Sequence, residues 1–110
     1  MPVVDQAIFN ELKRMSGNDF ISELIDVFLD DAPHMLDAIR TALEAKDVES
    51  FRRNAHSMKS NANTFGATEL GALAAELESM AKESNLNIGN KLDLLKEAYG
   101  KVAEELNSLK

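Results

Sequence analysis

His56 is the side chain best placed to make and break a covalent bond. It lies in Phe51-Arg52-Arg53-Asn54-Ala55-His56-Ser57-Met58-Lys59-Ser60-Asn61-Ala62-Asn63-Thr64-Phe65-Gly66, a stretch that reads as a helix stopped by glycine. Phe51, Ala55, Met58, Ala62 and Phe65 recur at i, i+4, i+7, i+11 and i+14 and so share one face. His56 points away from that stripe, toward water. Lys59, Ser60 and Asn63 stand beside it at i+3, i+4 and i+7, with Arg52 one turn before it at i−4.

A free imidazole titrates near pH 6.5, so at neutral pH one ring nitrogen has a lone pair that can attack phosphorus. Attack needs access from outside and positive charge nearby, because a phosphoryl group brings about two negative charges. Lys59 supplies that charge, and Arg52 is a second source. Phosphoryl transfer depends mostly on positioning and electrostatics, so few groups are needed on the histidine side. The bland alternative is an idle surface histidine among solvating polar residues. The set argues against it: short polar side chains ring the imidazole and leave room for a partner to dock flat. Arg52, Ser60, Asn63, Gly66, Ala67 and Gly71 are the expected docking residues. Glu78, on the next helix, could accept a hydrogen bond from Nδ1 and leave Nε2 as the nucleophile; read alone, it is equally a solvated glutamate.

A histidine can serve a partner only if its helix is held still. The 110 residues bound the chain to one domain, 1–110, with an apolar share of 45% that can bury a core. Aromatics are 5% and Trp is absent, so aliphatic side chains must do most of the packing. The lack of Cys rules out a disulfide framework and a thiolate zinc site, and fits a reducing compartment. A net charge of −7 repels phosphate backbones, which disfavours nucleic acid as a partner. No apolar run approaches the roughly 20 residues that cross a bilayer, and no signal peptide is visible, so a cytoplasmic location is expected.

With only Pro2 and Pro33 to interrupt it, nearly the whole chain is free to be helical. A first helix is predicted from Asp5 or Gln6 to Met15, with Asp5 as N-cap and Ala7, Ile8, Leu12 and Met15 as its apolar face. Ser16-Gly17-Asn18 breaks it. Asn18 or Asp19 is expected to cap a second, longer helix with the stripe Phe20, Ile21, Leu24, Val27 and Phe28. A kink or restart is expected near Asp31, before Pro33. The pattern resumes with Met35, Leu36, Ile39, Ala42 and Leu43 and ends at Ala45-Lys46. Asp47 caps the third helix, Val48 to about Phe65. The fourth, about Thr68 to Ser84, turns Leu70, Leu73, Ala74, Leu77, Met80 and Ala81 inward, with Ala67, Gly71 and Glu78 on its flank. After a turn at 85–90 the last helix runs from Lys91 to about Leu109, with Leu92, Leu95, Ala98 or Tyr99, Val102, Leu106 and Leu109 inside. Short loops between long amphipathic helices predict an all-α fold: an antiparallel up-down-up-down four-helix bundle with a short N-terminal helix laid against it, as a monomer.

Other clusters carry less. His34 near Asp30 and Asp31 has metal-like spacing, but the chain holds two histidines and no second copy of the motif, so no metal site is expected. Glu104-Glu105 and Glu76, Glu78 and Glu83 read as solvated helix faces. No Ser-His-Asp set, glycine-rich phosphate loop or pair of catalytic acids can be built.

Ala55-His56-Ser57-Met58-Lys59-Ser60, followed by Gly66-Ala67, Leu70 and Leu77-Glu78, resembles the histidine-containing phosphotransfer (HPt) domain. Phe28-Leu29-Asp30-Asp31-Ala32-Pro33 with Leu36, and Ala42-Leu43 leading to Asp47, resemble the helix before the histidine in that family. The resemblance implies a carrier in two-component phosphorelays. His56 would take a phosphoryl group from an aspartyl phosphate on one receiver domain and pass it to an aspartate on another. Lys59 would steady the phosphoryl oxygens. The receiver would bring Mg2+ and the catalytic carboxylates, so the chain would need no cofactor and no ATP site of its own, whether free or part of a hybrid sensor kinase. Two positions depart from the family's habit: Ser60 stands where Gly is frequent, and Glu78 where Gln is frequent. The alternative function is a helical interaction module that docks a signalling partner without chemistry.

Overall fold

Five helices make up most of residues 3–110, the part that the computed structural model describes; Met1 and Pro2 lie outside it. They are α1 (Gln6–Ser16), α2 (Asn18–Ala45), α3 (Val48–Thr64), α4 (Thr68–Lys82) and α5 (Lys91–Leu109), and no strand occurs among the described residues. Local chemistry sets several ends, but neither Asn18 nor Asp19 caps α2: both lie inside the helix, and Gly17 holds the N-cap position with no side-chain bond. Asp5 Oδ1 accepts from the Ile8 N–H at 3.1 Å and Asp47 Oδ1 from the Ser50 N–H at 3.1 Å, which caps α1 and α3. At the C-terminus of α2, Lys46 takes a left-handed φ of 57° and its N–H turns back to the last carbonyls.

The helices pack in a closed ring, α2 on α3, α3 on α4, α4 on α5 and α5 on α2, while α1 lies against α2 and α3. Inside sit Ile25, Phe28, Ile39, Phe51, Met58, Leu70, Leu77, Leu95, Val102 and Leu106. The most extensive pairing is α3 with α4. Ala55, Ala62 and Ala74 are fully buried along these helices, where a methyl group lets neighbouring backbones come close. Phe28 joins the layers, with its ring 5.2 Å from Phe65 and 6.0 Å edge-on from Tyr99.

The α3 stripe is buried as its period predicts. The faces of α1 and α2 differ from expectation. In α1 it is Phe9 that enters the core, while Ala7, Ile8 and Met15 are exposed. In α2 the buried line is Ile21, Ile25, Phe28, Ala32, Leu36, Ile39 and Ala42, and Phe20 and Val27 stay outside. The full 28-residue length fixes this: Ile25 and Ala32 continue the line of Ile39, and Phe20 and Val27 fall to one side of it.

Pro33 does not end a helix; α2 runs through it. The missing proline N–H deprives the Leu29 carbonyl of its usual partner. The Tyr99 hydroxyl of α5 donates to that carbonyl at 3.4 Å, so a neighbouring helix restores part of what proline removes. Burial pushes the Tyr99 phenol up from its ordinary pKa, which keeps the donor protonated. Tyr99→Phe is expected to cost about 0.5–1.5 kcal/mol, at the low end because the bond is long, read as a lower urea midpoint at unchanged m-value. An unmoved midpoint would remove the hydroxyl from the account of how α2 passes Pro33.

Glu105, expected to be merely solvated, is half-buried and accepts from the Val4 N–H at 3.0 Å. It pins the segment before α1 to α5.

Candidate functional site

The site is built on the surface of α3 and α4. Phe51, Ala55, Met58 and Ala62 anchor α3 from below, which turns His56 outward with its side chain 56% exposed. The turn into α4 is made by Gly66 at φ 82°. A Cβ there would come within 2.8 Å of the Asp5 carbonyl oxygen, and the Asp5 N–H donates to the Gly66 carbonyl at 2.8 Å. Gly66 thereby locks the start of α1 onto the α3–α4 turn. One turn into α4, Gly71 leaves room for the Asn63 side chain, whose Oδ1 would be 2.0 Å from a Cβ at that position.

Glu78, on the inner part of α4, is 4% exposed and is the one buried charged residue among those described. It lies just under the surface, covered by the two side chains it binds. Its Oε2 is 2.7 Å from His56 Nδ1 and its Oε1 is 2.6 Å from Lys59 Nζ. The Lys59 bond holds its carboxyl below the usual glutamate range against the desolvation that would raise it, and the His56 bond adds to the lowering. Glu78 is therefore a carboxylate at neutral pH and can only accept. In the neutral imidazole the proton then lies on Nδ1, and Nε2, across the ring, keeps its lone pair.

A carboxyl held lower in the folded chain than its ordinary value near 4.3 stabilises the fold above that pH, and the contribution fades as pH falls through the folded value. The stability gap between the wild type and Glu78→Gln is expected to narrow below about pH 4.3, measured by urea unfolding at stepped pH. A gap that widens with acid would contradict the bonding described for Glu78.

The predicted site residues separate into two groups. His56, Lys59 and Glu78 are brought together, and Ser60 and Asn63 are exposed on the same helix. Gly66, Ala67 and Gly71 are buried, so they do not offer a docking surface; they act by letting α1, α3 and α4 approach. Arg52 is not a free second cation: its guanidinium is paired with Glu49 on its own helix, with Nε 3.2 Å from Oε2. Among the described residues no group of three or more His, Cys, Asp or Glu side chains is placed to hold a metal ion.

One feature of the face was not foreseen. An apolar groove of about 390 Å3 lies between α1 and the C-terminal end of α3, lined by Ala7, Ile8, Glu11, Leu12, Met15 and Thr64. Thr64 is one turn beyond Ser60, so the groove continues the exposed face that carries His56. The signal was in the sequence as a surplus: α1 holds more apolar residues than one face can bury, and Ile8 and Phe9 cannot both point inward.

The Hpt domain family model matches residues 23–108. The phosphorelay protein LuxU of Vibrio cholerae serotype O1 is 27% identical over 101 residues, which are 87% of this chain and 89% of LuxU. The sensor protein TorS of Escherichia coli K12 is 32% identical over 75 residues, 68% of this chain but only 8% of the length of TorS. The crystal structure of histidine-containing phosphotransfer protein B from Pseudomonas aeruginosa PAO1 matches with a TM-score of 0.88 at 24% identity, over 97% of this chain and 93% of that one. That structural likeness speaks to the fold, and the family match runs from α2 to the end of α5 with the histidine helix inside it. This chain belongs to the Hpt domain family.

Proposed function

We propose that this chain is a phosphorelay intermediate in which His56 carries the phosphoryl group. The observation that carries the reading is the double hold of Glu78: one oxygen on Nδ1 of His56 and the other on Lys59 Nζ, with Nε2 left free on an exposed helix face. The Nε2 lone pair attacks the phosphorus of an aspartyl phosphate on a docked receiver domain. The bond from phosphorus to the aspartyl oxygen breaks, and its electron pair leaves with the carboxylate. Lys59, held within reach by Glu78, offers its remaining N–H donors to the phosphoryl oxygens. The reverse attack by a second receiver's aspartate empties the site. Mg2+ and the catalytic carboxylates come from the receiver, and the chain supplies neither a cofactor nor an ATP site. It is a phosphocarrier rather than a kinase.

The closed ring of contacts and the short loops support an antiparallel up-down-up-down four-helix bundle with the short α1 laid against it; the chain is read as a single domain over 1–110, with a kink in α2 at Pro33. The docking face runs from Lys59, Ser60 and Asn63 to the groove at Ile8 and Met15. Among the described residues no helix is long and apolar enough to cross a membrane. A cytoplasmic monomer fits a carrier that must meet two receivers in turn.

Incubation with a phosphorylated receiver domain, followed by mapping of acid-labile, base-stable phosphate, tests this. Phosphate on His56 is expected. A folded chain that binds receivers yet stays unmodified would point instead to an interaction module. Docking is tested separately. Ser60→Trp places a bulky ring beside the imidazole, and Ile8→Asp puts a charge into the groove. Each is expected to weaken receiver binding at least about tenfold with the helical content unchanged. Unaltered affinity in both would place the docking face elsewhere.

A further inference from the structure

Resting on the relay reading above, we infer that Glu78 keeps the Nδ1 proton on the ring after His56 is phosphorylated, so that the group released in onward transfer is a neutral imidazole. Glu78 is thus a positioning residue for a proton, not only a prop for the resting side chain.

The charges facing the ring are few. From α4 comes Glu78, with Oε2 2.7 Å from Nδ1. From α3 come Lys59, bound to the other Glu78 oxygen at 2.6 Å, and Arg52, which is occupied by Glu49. Among the described residues no hydrogen bond or ion pair joins a side chain of α1 or α2 to His56, Lys59 or Glu78. The carboxylate is the group in contact with Nδ1, and Lys59 keeps it ionised.

When Nε2 of the neutral ring forms its bond to phosphorus, no proton is lost, and the ring becomes cationic at Nδ1–H. A carboxylate at hydrogen-bond distance favours that cation directly. In the onward step a receiver carboxylate oxygen attacks phosphorus, the N–P bond breaks, and its electron pair returns to Nε2. With the proton still on Nδ1, what leaves is neutral imidazole. Without it, the leaving group would be the imidazolide anion, which is far poorer. A glutamine at this position could still accept from Nδ1–H but would bring no charge to hold the proton. The charge on Glu78 thus has a chemical consequence: onward transfer should stay fast to higher pH.

The test has two arms. In the first, phosphoramidate, a small phosphoryl donor, loads His56 without any receiver, and 15N NMR of the imidazole follows Nδ1–H from pH 6 to 9. The wild-type phosphoprotein is expected to keep that proton up to at least about one pH unit above Glu78→Gln. Loss of the proton at the same pH in both, or in the wild type below about pH 7, would overturn the proposal. This arm stands on the wild type alone should the variant fold poorly. In the second arm the loaded proteins are mixed with one receiver domain, and the ratio of wild-type to variant transfer rates is taken at each pH. That ratio cancels the receiver's own pH dependence. It is expected to rise about tenfold between pH 6.5 and 8.5. A flat ratio alongside active transfer overturns the role of Glu78. A failure of the wild type to exchange phosphate with receivers at all overturns the relay reading instead, and leaves the first arm to decide on Glu78.

Discussion

Replacing His56 by glutamine is expected to abolish phosphoryl uptake from a charged receiver while leaving the helices folded. The amide nitrogen of glutamine has its lone pair delocalised and cannot attack phosphorus, so the loss should be that of a missing nucleophile, at least about 10^4-fold. The fold should survive for two reasons. The side chain is 56% exposed on the outer face of α3, where substitutions usually shift stability by no more than about 0.5 kcal/mol. The glutamine NH2 can also still donate to Glu78 Oε2, so the carboxylate beneath does not lose its partner. Alanine lacks that donor and is expected to cost about 0.5–1.5 kcal/mol more than glutamine, which makes the pair a measure of the hydrogen bond itself. Far-ultraviolet circular dichroism and urea unfolding check the fold, and acid-labile phosphate checks the chemistry. Phosphate on His56→Gln would move the nucleophile to another residue, and loss of helix would make His56 structural.

The parts of this site that were legible in the sequence are those governed by local repetition. The α3 stripe has one period and no competing face, so Phe51, Ala55, Met58 and Ala62 had to be buried and His56 had to be outside. The caps at Asp5 and Asp47 were legible for the same reason, being side-chain contacts three residues long. Where two adjacent residues are both apolar, as at Ile8-Phe9 and Phe20-Ile21, local pattern cannot choose between them, and packing against other helices decided. The Tyr99 bond to Leu29 spans 70 residues and has no local signature. Arg52 is a different case. Its pairing with Glu49 at i+3 is a local feature, and the sequence contained the information that this cation was already occupied. Glu78 depended on the register of α3 against α4, which Ala67 and Gly71 help set by being small. The glutamate could be suspected from the sequence, but its simultaneous grip on Lys59 could not.

That grip makes Lys59 the second position to test, because in the proposed relay its ammonium serves both Glu78 and the phosphoryl group. Lys59→Ala is expected to slow phosphoryl uptake about 10^2-fold, the size of one well-aimed donor to a developing charge, without abolishing it. The nucleophile and the receiver's own groups remain, so the residual rate should be well above that of His56→Gln. The same substitution removes the stronger of the two partners of Glu78. The Lys59 side chain is 29% exposed, so water can reach the carboxylate once it is gone, and the stability cost should stay near about 1 kcal/mol, not the several expected for a deeply buried pair. A double-mutant cycle separates the two effects. Adding Glu78→Gln to Lys59→Ala removes the uncompensated charge and should recover most of the lost stability, whereas it should recover none of the lost rate, since no cation returns to the phosphoryl oxygens. If the double variant regained transfer along with stability, Lys59 would be acting only by neutralising Glu78, and its direct contact with the phosphoryl group would have to be given up.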